Sequence, residues 1–324
     1  RRSSDLLGVG GYASGPLLLA ASRLGVPTAL LEQNAHVGLT NRLLAGRVDA
    51  IATAYHSVAR LAEKHWGKVH CIGNPVRPEV LALRGQPFPA LSETSLLRVL
   101  VTGGSQGARV LAEVVPDALA MLPPALATRL QVTQQARPED IDAVRARYAS
   151  HHIPAELATY FEDMAARLAD AHLFIGRSGA STIAELTAVG RPAILVPLPG
   201  ATDDHQTANA REMAASGGAR MMRQPAVTTI DLARLNEYKR NEVMLAQSDA
   251  WQEMAKDLCR QIRAIAQNPE TLANAAHAAW NCGLPNATRD LADLVETFGG
   301  APLMDVIRVG ESEGRAVRTE GAMA

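Results

Sequence analysis

Short apolar runs, each followed by a glycine-rich turn and then an amphipathic stretch, recur along most of this chain. That alternation predicts an α/β fold built on parallel sheets. Residues 5–9 read as a strand, 10–15 as a loop, and 16–24 as a helix with Pro16 in its first turn. Strands at 28–33, 48–54 and 69–72 follow, with a helix at 37–45, which is only about half of a doubly wound domain. Asn74-Pro75-Val76-Arg77-Pro78 and the proline-containing stretch to Glu93 read as a linker.

A second domain then begins with a strand at 98–102, a loop at 103–107 and a helix at 108–119. Strands at 130–134, 172–175 and 193–197 alternate with helices at 138–148, 164–170 and 181–189. A further helix is expected at 203–216, opening on Asp203 and Asp204 as the helix macrodipole favours. Residues 228–298 read as mostly helical. The domain boundaries expected are therefore a partial N-terminal domain at 1–76, a linker at 77–96 and a C-terminal domain at 97–285. A closing helix at 286–299 and a loose, disordered tail at 300–324 complete the chain.

Composition narrows the class. A length of 324 residues suits two domains, each large enough to bury its own core. With 47% hydrophobic and 20% charged residues, the mix is that of a folded chain rather than a disordered one. The net charge of −1 removes any bulk electrostatic case for a nucleic-acid partner. Cys71, Cys259 and Cys282 are odd in number and far apart, so they read as reduced thiols of a cytoplasmic protein rather than as a disulfide or metal framework. No apolar run reaches the ~20 residues that span a bilayer; the best, 17–31, is broken by Arg23 and Pro27. No signal-peptide pattern is read at its start. The chain opens on Arg1 just ahead of a strand, which reads as a fragment or a processed chain.

Four loops carry candidate chemistry. Gly8-Val9-Gly10-Gly11-Tyr12-Ala13 after a strand, with Glu32 at the end of the next, fits a dinucleotide-binding fingerprint, though nothing downstream resembles a hydride-transfer site. Gly103-Gly104-Ser105-Gln106-Gly107-Ala108-Arg109 joins a strand to a helix, where close backbone approach and free N–H groups suit phosphate; a plain tight turn reads the same way. Arg177-Ser178-Gly179-Ala180-Ser181-Thr182-Ile183-Ala184-Glu185 opens a second helix, with Glu185 placed to accept from ribose hydroxyls or to serve as an ordinary helix acid. Asp203-Asp204-His205-Gln206-Thr207-Ala208-Asn209 holds metal-ligand residue types, but adjacent carboxylates on a helix diverge. Sugar-hydroxyl binding by Gln206, His205 and Asn209 is the favoured reading there, against a solvated helix start.

Taken in order, these blocks resemble the MurG family, glycosyltransferase family 28 with the GT-B fold. Gly8 to Pro16, Glu32-Gln33-Asn34, Gly38-Leu39-Thr40-Asn41, Gly73-Asn74-Pro75-Val76-Arg77, Gly103 to Ala108 and Phe161-Glu162-Asp163-Met164 carry the likeness. The Arg177–Glu185 block, Asp204-His205-Gln206, Asn209-Ala210 and Pro285-Asn286-Ala287-Thr288 extend it over roughly 5–298. The resemblance implies two Rossmann-like domains facing a cleft, the N-terminal one incomplete, and UDP-N-acetylglucosamine held mainly by the C-terminal domain. It implies uracil against Phe161, ribose on Glu185, and diphosphate on Ser105, Arg77 and the Ala180, Ser181 and Thr182 helix start. Asn34, Gln206 and His205 would lie on the sugar side. Gly10, Gly11, Tyr12 and Ser14 match a loop facing the acceptor, lipid I, an undecaprenyl-diphosphate-linked MurNAc-pentapeptide. The implied reaction is GlcNAc transfer to the MurNAc 4-hydroxyl with inversion, giving lipid II, at the cytoplasmic face of the inner membrane. No cofactor, metal or nucleic acid is implied.

Family members begin with a strand and a glycine loop ending in a histidine that is a candidate base. Nothing here precedes Arg1, so no residue is assigned as catalytic. A UDP-sugar-binding remnant without turnover is the alternative expectation, and an NAD-binding oxidoreductase a further one. The stretch 228–285 is longer than the resemblance leads one to expect.

Overall fold

The computed structural model describes residues 5–92, 94–104 and 107–298; Ser105 and the tail expected at 300–324 lie outside the described residues. The described chain divides into two compact units. One holds the residues up to Gln33, Val37–Ile72 and the residues from Arg289; the other holds Asn34–His36 and Gly73–Thr288.

The first unit is built on β1 (Leu6–Gly8), α1 (Ser14–Arg23), β2 (Thr28–Glu32), α2 (Leu39–Leu44), β3 (Ala50–Thr53) and β4 (Val69–Cys71). The strands are parallel in the order β1-β2-β3-β4, with Leu7 beside Ala29, Leu30 beside Ile51 and Ala52 beside His70. Every residue of β2 and β3 is buried, which is why they read as unbroken apolar runs rather than alternating ones. Leu30 and Ile51 face Leu18, Leu44 and Val69 on one side of the sheet. Their neighbours Ala29, Leu31, Ala50 and Ala52 face Leu291 and Leu294 on the other.

The second unit contains, in chain order, α3 (Pro78–Leu81), β5 (Leu97–Thr102), α4 (Arg109–Ala120), α5 (Pro124–Ala127), β6 (Leu130–Gln135), α6 (Ile141–Ser150) and β7 (Ala155–Ala158). Then come α7 (Met164–Asp170), β8 (Leu173–Gly176), α8 (Ala180–Val189), β9 (Ala193–Leu195), α9 (His205–Ala215), β10 (Ala219–Met221), α10 (Glu237–Ala266) and α11 (Pro269–Asn281). The helix α12 (Ala287–Phe298) follows and carries the Leu291 and Leu294 that cover the first unit's sheet. The sheet order β10-β9-β8-β5-β6-β7, with every pair parallel, is that of a doubly wound fold. The chain runs outward from β5 to β7, then returns to lay β8 on the other side of β5. The loops leaving β5 and β8 therefore open side by side.

Period-two patterning divides the core of this unit. Leu97, Val99 and Val101 of β5 pack with α4, α6 and α10. Leu100, between them, packs with Phe174, Leu195 and the apolar faces of α7, α8 and α9. The long helix α10 presents Met254, Leu258, Ile262 and Ile265 to α4 at helical spacing. Each such side chain contributes roughly 1.5–3 kcal/mol on burial. Asn236 caps α10 by accepting from Lys239 N, and Asn268 caps α11 by accepting from Glu270 N, ahead of Pro269.

Helix C-termini are closed by arginines, one buried and one half-buried. Arg191, 1% exposed, donates to the carbonyls of Leu168 and Ala169 at the end of α7 and of Val189 and Gly190 at the end of α8. Burial pushes its guanidinium down to about 10, still a cation at neutral pH. Arg84 donates to Thr187 O, Ala188 O and Trp280 O while stacking 4.2 Å over the Trp280 ring.

Two features differ from the sequence reading. The edge strands β7 and β10 were not anticipated. They are three or four residues long, and Ala-Glu-Leu-Ala and Ala-Arg-Met carry no strand signature. The helix expected at 203–216 starts at His205, because Asp203 and Asp204 take left-handed φ values of 56° and 54°. Aspartate tolerates that conformation better than most residues, so the two acids turn the chain into the helix instead of occupying its first turn.

His172 gives the fold a pH dependence. It is buried, and its Nδ1 accepts Arg98 N at 3.0 Å, which fixes a neutral ring; burial pushes its pKa down to about 4. In the unfolded chain it titrates near ~6.5. Its stabilisation is therefore present above that pH and is lost as pH falls toward the folded value. The urea midpoint, followed by tryptophan fluorescence, is expected to drop between pH 6.5 and 4. A His172→Asn variant, whose side-chain carbonyl replaces the acceptor without titrating, is expected to show a flatter profile over that window.

Candidate functional site

The crevice at the strand ends of the second unit is a cavity of about 600 Å³. Thr102 and Gly104 line it from the end of β5, Gln135 from the end of β6, and Thr159, Tyr160 and Phe161 from the loop after β7. Thr182 and Glu185 line it from α8, and Arg77 from the chain just ahead of α3. A cavity outside the carboxyl ends of parallel strands, where strand order reverses, is where this architecture binds ligands. The chain packs closely at Gly103 and Gly107: a side chain at Gly103 would meet Ala108 N at 2.3 Å, and one at Gly107 would meet Arg137 Cγ at 2.3 Å. These two positions need glycine for that close approach. Ser105 of the same loop lies outside the described residues.

The start of α8 supplies backbone donors. Gly179 is the N-cap, with no side chain capping it, and the first helical bond runs from Ile183 N to Gly179 O. The N–H groups of Ala180, Ser181 and Thr182 thus precede the ladder and sit at the positive end of the helix dipole. The turn before them is rigidly held. Arg177, 7% exposed, donates to Val196 O and Pro197 O, and Ser178 Oγ donates to Gln206 O at 2.8 Å.

Arg77 and Glu185, 108 positions apart, meet at the cavity wall. Arg77 Nε lies 2.7 Å from Glu185 Oε1 and Nη2 lies 3.2 Å from Oε2, a bidentate pair. Glu79 Oε1 stands 3.3 Å from Arg77 Nη1. The hydrogen bond that Arg77 donates to Glu185 chiefly holds the Arg77 pKa above its usual value.

Phe161 lines the cavity with little of its surface exposed. The residue is 5% exposed, and its ring lies under the Arg167 guanidinium at 4.2 Å. Arg167 is itself held by both oxygens of Glu156 and by Asp163 Oδ1 at 2.6 Å, which keeps the 161–163 loop in place. Those partners raise the Arg167 pKa, and the bond from Arg167 lowers that of Asp163.

A second cluster forms around Asn209, which is fully buried. Its Oδ1 accepts from Ala35 N at 2.9 Å, and its Nδ2 donates to Asn34 Oδ1 at 3.0 Å and to Ser178 O at 3.2 Å. Asn209, expected among the sugar contacts, is therefore a structural hub: the amide is consumed inside the protein. It brings Asn34 to the turn that starts α8. Gln206 lies on the same side, its Oε1 accepting from Leu198 N at 2.9 Å, and His205 donates from Nδ1 to Thr202 O at 2.7 Å. The structure thus gathers Arg77, Phe161, Thr182 and Glu185 at one cavity. Asn34, Gln206 and Asn209 cluster at the turn feeding α8. Sequence reasoning missed Thr102, Gln135, Thr159 and Tyr160, which carry no motif; position after a strand of this sheet is the only signal that could have found them.

In the first unit, Gly10 and Gly11 take φ values of 87° and 77°, Ser14 Oγ donates to Gly11 O, and Tyr12 is 92% exposed. Glu32 is 4% exposed, and its Oε2 accepts from Gly38 N and from Asn41 Nδ2, each at 2.9 Å. The acid that a dinucleotide fingerprint would place on a ribose instead fixes the start of α2. No described helix is long and apolar enough to cross a membrane.

Comparison with known proteins gives one consistent result. Residues 98–257 match the model of the glycosyltransferase family 28 C-terminal domain, and residues 4–53 that of the family's N-terminal domain. A relative from Novosphingobium aromaticivorans is 66% identical over 306 residues, covering 94% of this chain and 72% of its own length. One from Erythrobacter litoralis is 61% identical over 313 residues, 97% of this chain and 72% of its own. Both are named UDP-N-acetylglucosamine–N-acetylmuramyl-(pentapeptide) pyrophosphoryl-undecaprenol N-acetylglucosamine transferase. Among solved structures, Acinetobacter baumannii MurG superimposes with a TM-score of 0.65 at 29% identity, over 90% of this chain and 74% of that one.

The structural reading of Asn209 is testable. Asn209→Ala strips the buried Ala35 N–H of its acceptor, so a loss of about 2–3 kcal/mol of unfolding free energy is expected in denaturant titration. A change under about 0.5 kcal/mol would remove Asn209 from the scaffold.

Proposed function

The chain belongs to glycosyltransferase family 28, and within it to the MurG-type N-acetylglucosaminyltransferases; on that premise we propose that it transfers GlcNAc from UDP-GlcNAc to the MurNAc 4-hydroxyl of lipid I. The hydroxyl oxygen bonds to the anomeric carbon from the face opposite UDP. The bond from that carbon to the β-phosphate oxygen breaks, UDP leaves with the electron pair, and the hydroxyl proton is lost. The product is lipid II, with the sugar inverted.

The observation that carries the donor assignment is the meeting of Arg77, Glu185, Thr182 and Phe161 at one cavity beside the start of α8. In this reading the uracil edge pairs with the Phe161 backbone and Glu185 accepts from the ribose hydroxyls. Arg77, Ser105 and the N–H groups of Ala180, Ser181 and Thr182 take the diphosphate. The charge that develops on departing UDP then meets a helix dipole and the Arg77 guanidinium. Asn34, Gln206 and His205 read the sugar. Residues 97–285 act as the donor side and 1–76 as the acceptor side, where Gly10, Gly11, Tyr12 and Ser14 face the lipid-linked sugar. The enzyme works as a peripheral protein at the cytoplasmic face of the inner membrane. The engagement of Glu32 with Gly38 and Asn41 speaks against NAD as the ligand.

Calorimetry on the full chain is expected to show binding of UDP and UDP-GlcNAc and none comparable for NAD; tighter NAD binding would overturn the donor assignment. Glu185→Ala is expected to weaken UDP about tenfold or more, the size of a lost hydrogen bond to a charged group. Formation of lipid II from lipid I and UDP-GlcNAc, followed by incorporation of labelled GlcNAc, tests the transfer itself.

A further inference from the structure

Arg77 and Glu185, proposed above for opposite ends of a nucleoside diphosphate, are bound to each other in this structure. We propose that the Arg77–Glu185 ion pair sets the selectivity of this pocket for a nucleoside diphosphate over the bare nucleoside. The inference rests on the donor reading of the cavity.

Both oxygens of Glu185 are engaged, one by Nε at 2.7 Å and the other by Nη2 at 3.2 Å. A pair of vicinal ribose hydroxyls needs those same oxygens. On this proposal a neutral nucleoside displaces the guanidinium and offers it nothing in return. The Glu185 side chain is only 18% exposed, so water replaces the lost partner poorly. A diphosphate changes the exchange. Its charged oxygens take the guanidinium in the geometry that carboxylate held, one bidentate anion for another, and both Glu185 oxygens become available to the ribose. Arg77 is 45% exposed, and its Nη1 stands 3.3 Å from Glu79, so the guanidinium keeps one anionic neighbour while it changes the other. The phosphate end of the ligand thereby opens the site for the nucleoside end, and affinity for the whole exceeds what its parts achieve separately.

The alternative is that Arg77 simply stays on Glu185 and steadies it for the ribose. The two cases predict opposite signs for uridine. Calorimetry with uridine and with UDP on the full chain, wild type against Arg77→Met, separates them. The proposal expects uridine to bind about three- to fivefold tighter to the variant, the size of a partly exposed ion pair. UDP is expected to bind about tenfold or more weakly. Arg77→Lys, with a point charge that cannot chelate, should fall between for both ligands. Raising KCl should tighten uridine and weaken UDP on the wild type, and leave uridine unchanged on Arg77→Met.

Unchanged or weaker uridine binding to Arg77→Met, with thermal melting like the wild type, overturns the proposal. If Arg77→Met fails to fold, it loses both ligands, and Arg77→Lys with the wild-type salt response decides by the same signs. Wild-type protein that binds no UDP sinks the donor assignment and this proposal with it; wild-type protein that binds UDP but shows no opposed response sinks this proposal alone.

Discussion

Parallel strands cannot be joined by tight turns, so each connection must cross the sheet and re-enter from the same edge. In the second unit that requirement, combined with the return of the chain from β7 to β8 beside β5, leaves the exits of β5 and β8 adjacent while their connections diverge to opposite faces. The crevice is a consequence of this divergence, and every feature of the candidate donor site is hung from it. Gly104 after β5, Thr182 in the first turn of the helix after β8 and the residues after β7 converge because their strands end on one edge. None of these residues needs to be near another in the chain.

Helix α8 shows how the same architecture polarises the site. Its last carbonyls accept from two guanidiniums, the buried Arg191 and the half-buried Arg84. Its first N–H groups, at Ala180 to Thr182, precede the helix's own hydrogen bonds, and Thr182 lines the cavity. Cations at the negative end and open donors at the positive end are the arrangement the macrodipole favours for holding an anion. The turn feeding the helix is tied down by Arg177, Ser178 and Asn209, whose polar atoms are spent inside the protein. A helix start fixed this way loses little freedom when a ligand binds, which is where preorganisation gains affinity. The Asn209 bond to Ala35 N also explains why Asn34–His36 belongs with the second unit although its chain neighbours belong with the first. A buried backbone donor goes where its acceptor is.

Much of this was legible in the chain. The long apolar runs of β2, β3, β5 and β8 announced buried parallel strands, and the glycine loops announced where the chain turns from strand to helix. The stretch 228–298 read as mostly helical, and the structure resolves it into α10 and α11, whose starts are capped by Asn236 and Asn268. The misses share a cause. The strands β7 and β10 exist because a neighbouring strand offers its edge, not because Ala155–Ala158 or Ala219–Met221 favour extension. Asp203 and Asp204 read as a dipole-favoured first turn, but the path from β9 into α9 needed left-handed residues there.

The chain by itself determined the fold class, the family and the identity of the loops, because periodicity, glycine placement and ordered motifs are local properties. Only the tertiary structure decided which polar residues are spent and which are offered. Glu32 and Asn209 looked like ligand contacts and are consumed by the backbone of Gly38 and Ala35. Gln135, Thr159 and Tyr160 carried no signal and line the cavity. Arg77 and Glu185, 108 positions apart, form one charged pair at its wall. A hydrogen bond or an ion pair is a relation between atoms a few ångströms apart, and that separation is fixed by the packing of β5, β8 and their helices rather than by spacing along the chain.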